Sequence, residues 1–338
     1  MTPCAPSSPP SAHIPPRDGS LRHFPSLHIP HRSRASGWAF LLLASLCLLP
    51  ACSVRKFAAN KAADALSGSG STFTSDDDPE LVRDALPFSL KMMEALLSET
   101  PQHPGLLLTL GSGFTQYGFA FVQQEAERIE DADLDRAREL QARARRLYLR
   151  GHNYALRGLE TAHPGFTNQL RTHPKKAVQV LKKSDVPFAY WSAAGWAAAI
   201  AQAKDDPAMV SDLPQVEALI DRAVELDEAW NRGTLHGLLI TFEMSRTTGT
   251  GDPVERATRH FHRALELGGK DSAGPYVAYA ESVCIPQEDR KRFEESLHQA
   301  LAIDPDANTS ARLENHIHQR RARWLLGRID KLFLPSLP

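Results

Sequence analysis

The chain has 338 residues, 42% of them hydrophobic and 23% charged, an ordinary globular composition with length enough for a substantial core. Its formal net charge of -1 excludes a global basic field that would draw it to nucleic acid. Aromatic residues make up only 7%, and the abundance of Ala and Leu favours helix. Residues 1–30 are rich in Pro, Ser and His and have no hydrophobic periodicity. Such a segment cannot bury enough apolar surface to offset the entropy of ordering it.

The next stretch, HRSRASGWAFLLLASLCLLPAC, has the zones of a secretory signal in order. Arg32 and Arg34 are basic, and Trp38 to Leu49 is apolar but shorter than the roughly 20 residues a bilayer span needs. Leu49-Pro50-Ala51-Cys52 then resembles a bacterial lipobox, with Pro50 a departure from its commonest form. The expectation is that residues 1–51 are removed, that Cys52 is lipidated, and that 52–78 form a tether before a helical domain over 79–338. Ser53, rather than Asp, after the lipidated cysteine points to the periplasmic leaflet of the outer membrane. Of the four cysteines, Cys4 and Cys47 leave with the signal and Cys52 is lipidated. Cys284 is then alone, so core packing and not a disulfide must hold the fold.

Asp78 before Pro79 reads as an N-cap followed by Pro in the first turn. From there nearly every segment has helical period. Leu81, Ala85, Phe88, Met92 and Leu96 recur at three- and four-residue steps up to Thr100-Pro101. Leu140, Ala144, Tyr148, Gly151 and Leu159 do the same further on. The arginines between them alternate with apolar positions and read as a solvated helix face. Between these two lies GLLLTLGSGFTQYGFAF, Gly105 to Phe121, uncharged but threaded with small and polar residues. Degenerate tetratricopeptide-like matches follow. Leu107-x2-Leu110-Gly111-x2-Phe114, Trp191-x2-Ala194-Gly195 and Trp230-x2-Gly233-Thr234 fit the first helix of a hairpin. Val216 to Leu226, Ala257 to Leu267 and Phe293 to Pro305 fit the second, with Ala223, Ala264 and Ala300 spaced at about the 34–45 residues of such repeats. No strand alternation competes, so the expected class is all-α, a bundle or short superhelix of helical hairpins. The terminal QRRARWLLGRIDKLF reads as an amphipathic cap, with Trp324, Leu325, Ile329, Leu332 and Phe333 inward and Arg320, Arg321, Arg323 and Arg328 on the other face.

Several blocks in order, among them DDDPELVRDALPFSLKMMEALL, GSGFTQYGFAFVQQEAE, LYLRGHNYALRGLE and IDPDANTSARLENHIHQRRARWLLGRID, resemble the TRAP-transporter-associated T component family. That resemblance covers about Asp76 to Phe333. It implies a periplasmic lipoprotein of tetratricopeptide-like hairpins that forms a homotrimer with a pore through each protomer. It also implies a partner, the periplasmic solute-binding P component of a tripartite ATP-independent (TRAP) transporter, and a small hydrophobic ligand.

Catalytic signatures are missing. There is no Gly-x-Ser-x-Gly elbow, His-Glu-x-x-His, Walker A or Gly-x-Gly-x-x-Gly. His260 and His262, like His316 and His318, stand two apart and point to different helix faces. Glu125 and Glu127 are spaced likewise, wrong for a glycosidase pair on one helix. The expectation is a protein without enzyme activity, cofactor, metal or nucleic-acid partner. The competing class is a lipoprotein scaffold for outer-membrane or pilus assembly, which binds proteins and has no channel. If a ligand channel exists, its candidate lining is Phe114, Gln116, Tyr117, Gly118, Phe121 and Gln123. The bland alternative for Gly111, Gly113 and Gly118 is close helix packing, which offsets the helix stability each glycine costs, about 1 kcal/mol relative to Ala.

Overall fold

The computed structural model describes residues 56–333 other than Ser69 and Thr247, and among them every regular element is helical. The signal segment and Cys52 lie outside the described residues. Helix α1 (residues 56–67) buries Ala63 and is tied by Asp64 to His103 Nε2 at 3.1 Å. A short α2 (Gly70–Thr74) follows, and then α3 (Pro79–Glu99). Asp78 starts α3 as expected, its Oδ1 accepting from the N–H groups of Glu80 and Leu81 at 2.9 and 3.1 Å.

The inward face of α3 is not the one expected. Val82, Leu90, Met93 and Leu97 are buried, while Leu81, Phe88 and Met92 are 59%, 69% and 43% exposed. Both sets keep helical period. What selects between them is the surface α4 offers: a Cβ added at Gly113 would lie 2.6 Å from Leu90 Cδ2, so the missing side chain makes the notch that Leu90 fills.

Helix α4 (Pro104–Tyr117) runs through a π-helical turn, Gly118–Gln123, into α5 (Gln124–Ile129). Helix α6 (Leu134–Ala162) packs along it. After α7 (Phe166–Thr172) and α8 (Pro174–Ala177) comes α9 (Val186–Ala201), apolar nearly all round because α4, α6 and α11 enclose it. The chain goes on through α10 (Pro207–Val210), α11 (Leu213–Asp227), α12 (Thr234–Phe242) and α13 (Pro253–Gly268). Helix α14 (Gly274–Tyr279) runs into a second π-helical turn, Ala280–Cys284, and α15 (Arg290–Ala302), α16 (Arg312–Leu326) and α17 (Ile329–Leu332) end the described chain. Sequential neighbours pack on each other: α4 on α6, α6 on α9, α9 on α11, α12 on α13, α14 on α15 and α15 on α16.

One expected helical stretch is a turn. Asn231, Arg232 and Gly233 have φ of 45°, 60° and 81°, so Trp230–Gly233 bends the chain in the left-handed region and α12 begins only at Thr234. Burying Gly233 against Leu267 explains the glycine, since a Cβ there would sit 2.8 Å from Leu267 Cβ.

The array closes on its own beginning. Helix α16 packs on α14 and α15, and it also touches α2 and α3. Its Ala322 and Leu325 belong to the core of the last helices, whereas Ile317 belongs to the cluster of Val82, Tyr117 and Phe121. Arg320 Nη1 reaches Glu80 at 2.8 Å, and Arg328 and Lys331 both reach Asp131 at 2.8 Å. So the C-terminal arginines do not all form a solvated outer face: Arg323 is exposed, but Arg321 is buried. No helix among the described residues is long and apolar enough to cross a membrane.

Candidate functional site

Where α16 meets the two π-helical turns, charged and polar groups are gathered at the junction. A π turn places one more residue in a turn of helix and so re-aims the side chains that follow it. In the first turn this brings Phe119 and, just beyond it, Glu127 toward α16. In the second it brings Glu281. Arg321 lies between them, 2.6 Å from Glu127 Oε2 and with its Nε 2.7 Å from Glu281 Oε2. Its guanidinium also stands 6.0 Å from the Phe119 ring and 5.5 Å from Trp324. The network continues to α6: Gln123 Nε2 donates to Glu127 Oε1 at 2.7 Å, and the Tyr148 hydroxyl donates to Gln123 Oε1.

One turn back along α16, His318 lies 5.9 Å from the Phe119 ring, and one turn further Glu314 is 4.0 Å from His318. Positions 314, 318 and 321 share a helix face, so these three form one stripe. Burial pushes the Glu281 carboxyl up, even against the attraction of Arg321. Burial and the charge of Arg321 together push the His318 imidazole down to about 4, so it is neutral near pH 7. Burial also raises Glu314, although its side chain is 58% exposed. The Tyr190 hydroxyl on α9 is raised by burial and by the charge of Glu314. Gly274 borders the same stripe: a Cβ there would be 3.2 Å from Glu314 Oε1 and 3.3 Å from His318 Nε2.

The six residues singled out in the sequence do not share one space. Gln123 belongs to the network just described. Gly118 faces α6, where an added Cβ would be 3.0 Å from the Tyr148 ring. Phe114 is core, stacked on Tyr154 with ring centroids 6.0 Å apart. Gln116 is exposed. Tyr117 and Phe121, 5.5 Å apart, lie in the wall of a separate recess of about 500 Å³. The charged stripe is not legible in the sequence: Arg321 reads as one basic residue among four on an outer face, and Glu281 stands in AESVC with no local sign of a partner forty residues away. Cys284, in the same turn, is buried, and burial pushes its thiol up to about 12, which makes it an inert core residue.

Two comparisons bear on this arrangement. A family profile described as "TRAP transporter T-component" matches residues 75–333. An "Uncharacterized protein" of Treponema pallidum (strain Nichols) is 34% identical over 268 residues, covering 78% of this chain and 82% of that protein.

Proposed function

Because the chain belongs to the TRAP transporter T-component family, we propose that it is a periplasmic, lipid-anchored accessory subunit working beside the solute-binding protein of such a system. The proposed hairpins are α4 with α6, α9 with α11, α12 with α13 and α14 with α15, a degenerate tetratricopeptide-like array capped by α16. In this reading residues 1–51 are the leader, Cys52 carries the lipid, and 52–78 connect it to the helical domain over 79–338, with α1 and α2 packed back onto that domain. No enzymatic step is assigned to it.

The observation that carries the proposal of a passage through the protomer is a meeting of charged groups. One face of α16, with Glu314, His318 and Arg321, meets Glu127, just beyond the first π-helical turn, and Glu281 in the second. The closing of α16 on α2 and α3 supports an enclosed inner space, since an array joined end to start encloses its inner face. Glu281, Arg321 and His318 then line it with Glu314. That lining favours a polar solute over the hydrophobic ligand that the resemblance implies, because an apolar molecule would have to desolvate these charges without pairing them.

The test is co-purification. The full chain, expressed with its own leader and extracted from membranes, is expected to retain a TRAP solute-binding protein encoded in the same genome. Retention of outer-membrane assembly components in its place would support the scaffold class and overturn the transport assignment.

A further inference from the structure

The recess walled by Tyr117 and Phe121 has its own chemistry. Five guanidiniums converge on it: Arg83 from α3, Arg128 from α5, Arg136 and Arg143 from α6, and Arg320 from α16. Only Asp84 and Glu125 oppose them within the lining. Tyr117, Phe121, Ile129 and Leu140 give it an apolar floor. An arginine stripe on one solvated helix face is common and means little. Here the arginines come from four helices brought together by the fold, around a volume of about 500 Å³ that suits a small molecule.

The arginines are not equally engaged. Arg83 pairs with Glu80 and Asp84, Arg128 with Glu125, and Arg136 with Glu139. Arg320 shares Glu80 and donates to the Ala120 carbonyl at 3.1 Å, which holds it against the first π-helical turn. Burial, with the charges of Arg128 and Arg83, keeps its pKa below the ordinary arginine value. Arg143 has no ion pair among the described residues, and its guanidinium lies 6.0 Å from the Tyr117 ring.

We propose that this recess binds a small organic anion with a flat apolar body. The body rests on the edges of Tyr117, Phe121 and Leu140 that reach the recess, each of these side chains being otherwise buried. The carboxylate or sulfonate is received by Arg143, whose planar fork matches it bidentately, with Arg136 two turns away on the same face of α6. Arg83, Arg128 and Arg320 are held by their own partners and supply the surrounding positive field. The site does not rest on the passage reading, because consecutive residues of α16 separate the two. Arg320 turns to the recess and Arg321 to Glu127 and Glu281.

The test is calorimetric titration of the full-length, detergent-purified protein with 1-naphthoate and, in parallel, with uncharged 1-naphthamide. The expected result is one saturable site per chain for 1-naphthoate, at least ten-fold weaker binding of the amide, and weakening with added salt. Arg143→Gln, an exposed change that leaves the core intact, is expected to weaken 1-naphthoate at least ten-fold, and Arg143→Lys to restore part of the loss. Arg290→Gln, on α15, is expected to change nothing. Equal affinity for acid and amide, unaltered binding by Arg143→Gln, or no saturable heat with 1-naphthoate would each overturn the proposal.

Discussion

Gly151 lets α6 approach α4 backbone to backbone: a Cβ there would sit 2.7 Å from the Gly111 carbonyl oxygen and 3.1 Å from the Thr115 nitrogen. Gly195 on α9 approaches α6 in the same way, 2.9 Å from the Tyr148 carbonyl oxygen. Helix propensity alone would make Gly151→Ala stabilising by about 1 kcal/mol. Overpacking is expected to win, giving a net loss of about 1–3 kcal/mol in urea denaturation; a gain would show that the helices separate without cost. His152, beside it, accepts or donates to Ser192 at 3.0–3.1 Å and stacks near Trp196, and burial pushes its pKa down to about 4. The unfolded chain takes up this proton below about pH 6.5 and the folded chain refuses it until about pH 4. The wild type is therefore expected to lose stability relative to His152→Gln across that window, by up to about 3 kcal/mol. Denaturation midpoints of the two at pH 7, 5.5 and 4.5 check it, and a constant gap would mean His152 is not held neutral. At this scale much was legible. The Asp78 cap follows from local residue chemistry, and so does the expectation that Gly111 and Gly113 mark close helix packing. The Gly151–Gly111 contact was not, because its two glycines stand forty residues apart.

Helices were legible through their period, but their orientation was not. Helix α3 has apolar residues on two faces, and the notch at Gly113 decides that Leu90 and Met93 turn inward while Phe88 and Met92 turn out. The π-helical turns escaped the sequence for a related reason. Gly118–Gln123 and Ala280–Cys284 carry no local signal of the wider turn, and α16 contacts both, through Arg320 and Arg321. Arg321 is the member that joins them. Arg321→Met would leave Glu127 and Glu281 facing each other without a counter-charge, at an expected loss of about 3 kcal/mol. Adding Glu281→Gln is expected to recover part of it, since that carboxyl already tends toward its neutral form. Additive losses in the double variant would mean that Arg321 acts through packing on Phe119 and Trp324 and not through charge.

For the whole molecule, the outward stripe of α3 is the clearest apolar feature left uncovered among the described residues. We propose it as the contact between protomers of the homotrimer that the family resemblance implies. Phe88→Glu is expected to leave the melting temperature nearly unchanged, because Phe88 is 69% exposed, and to convert trimers to monomers in light scattering after size exclusion. Trimers that survive the change would move the interface elsewhere and leave the stripe to the solute-binding partner.

The sequence by itself determined the helical class, the caps and punctuation of the helices, the absence of a disulfide framework in the helical domain and, through blocks of residues in order, the family. These depend on contacts between residues close in the chain, or on patterns that survive without knowing the fold. Only the tertiary structure decided which stripe of α3 is core, that Trp230–Gly233 is a left-handed turn, and that Arg321 is interior while Arg320 faces a recess. Each of these is set by a neighbour tens to hundreds of residues away, and helical period cannot report which of two possible faces that neighbour will meet.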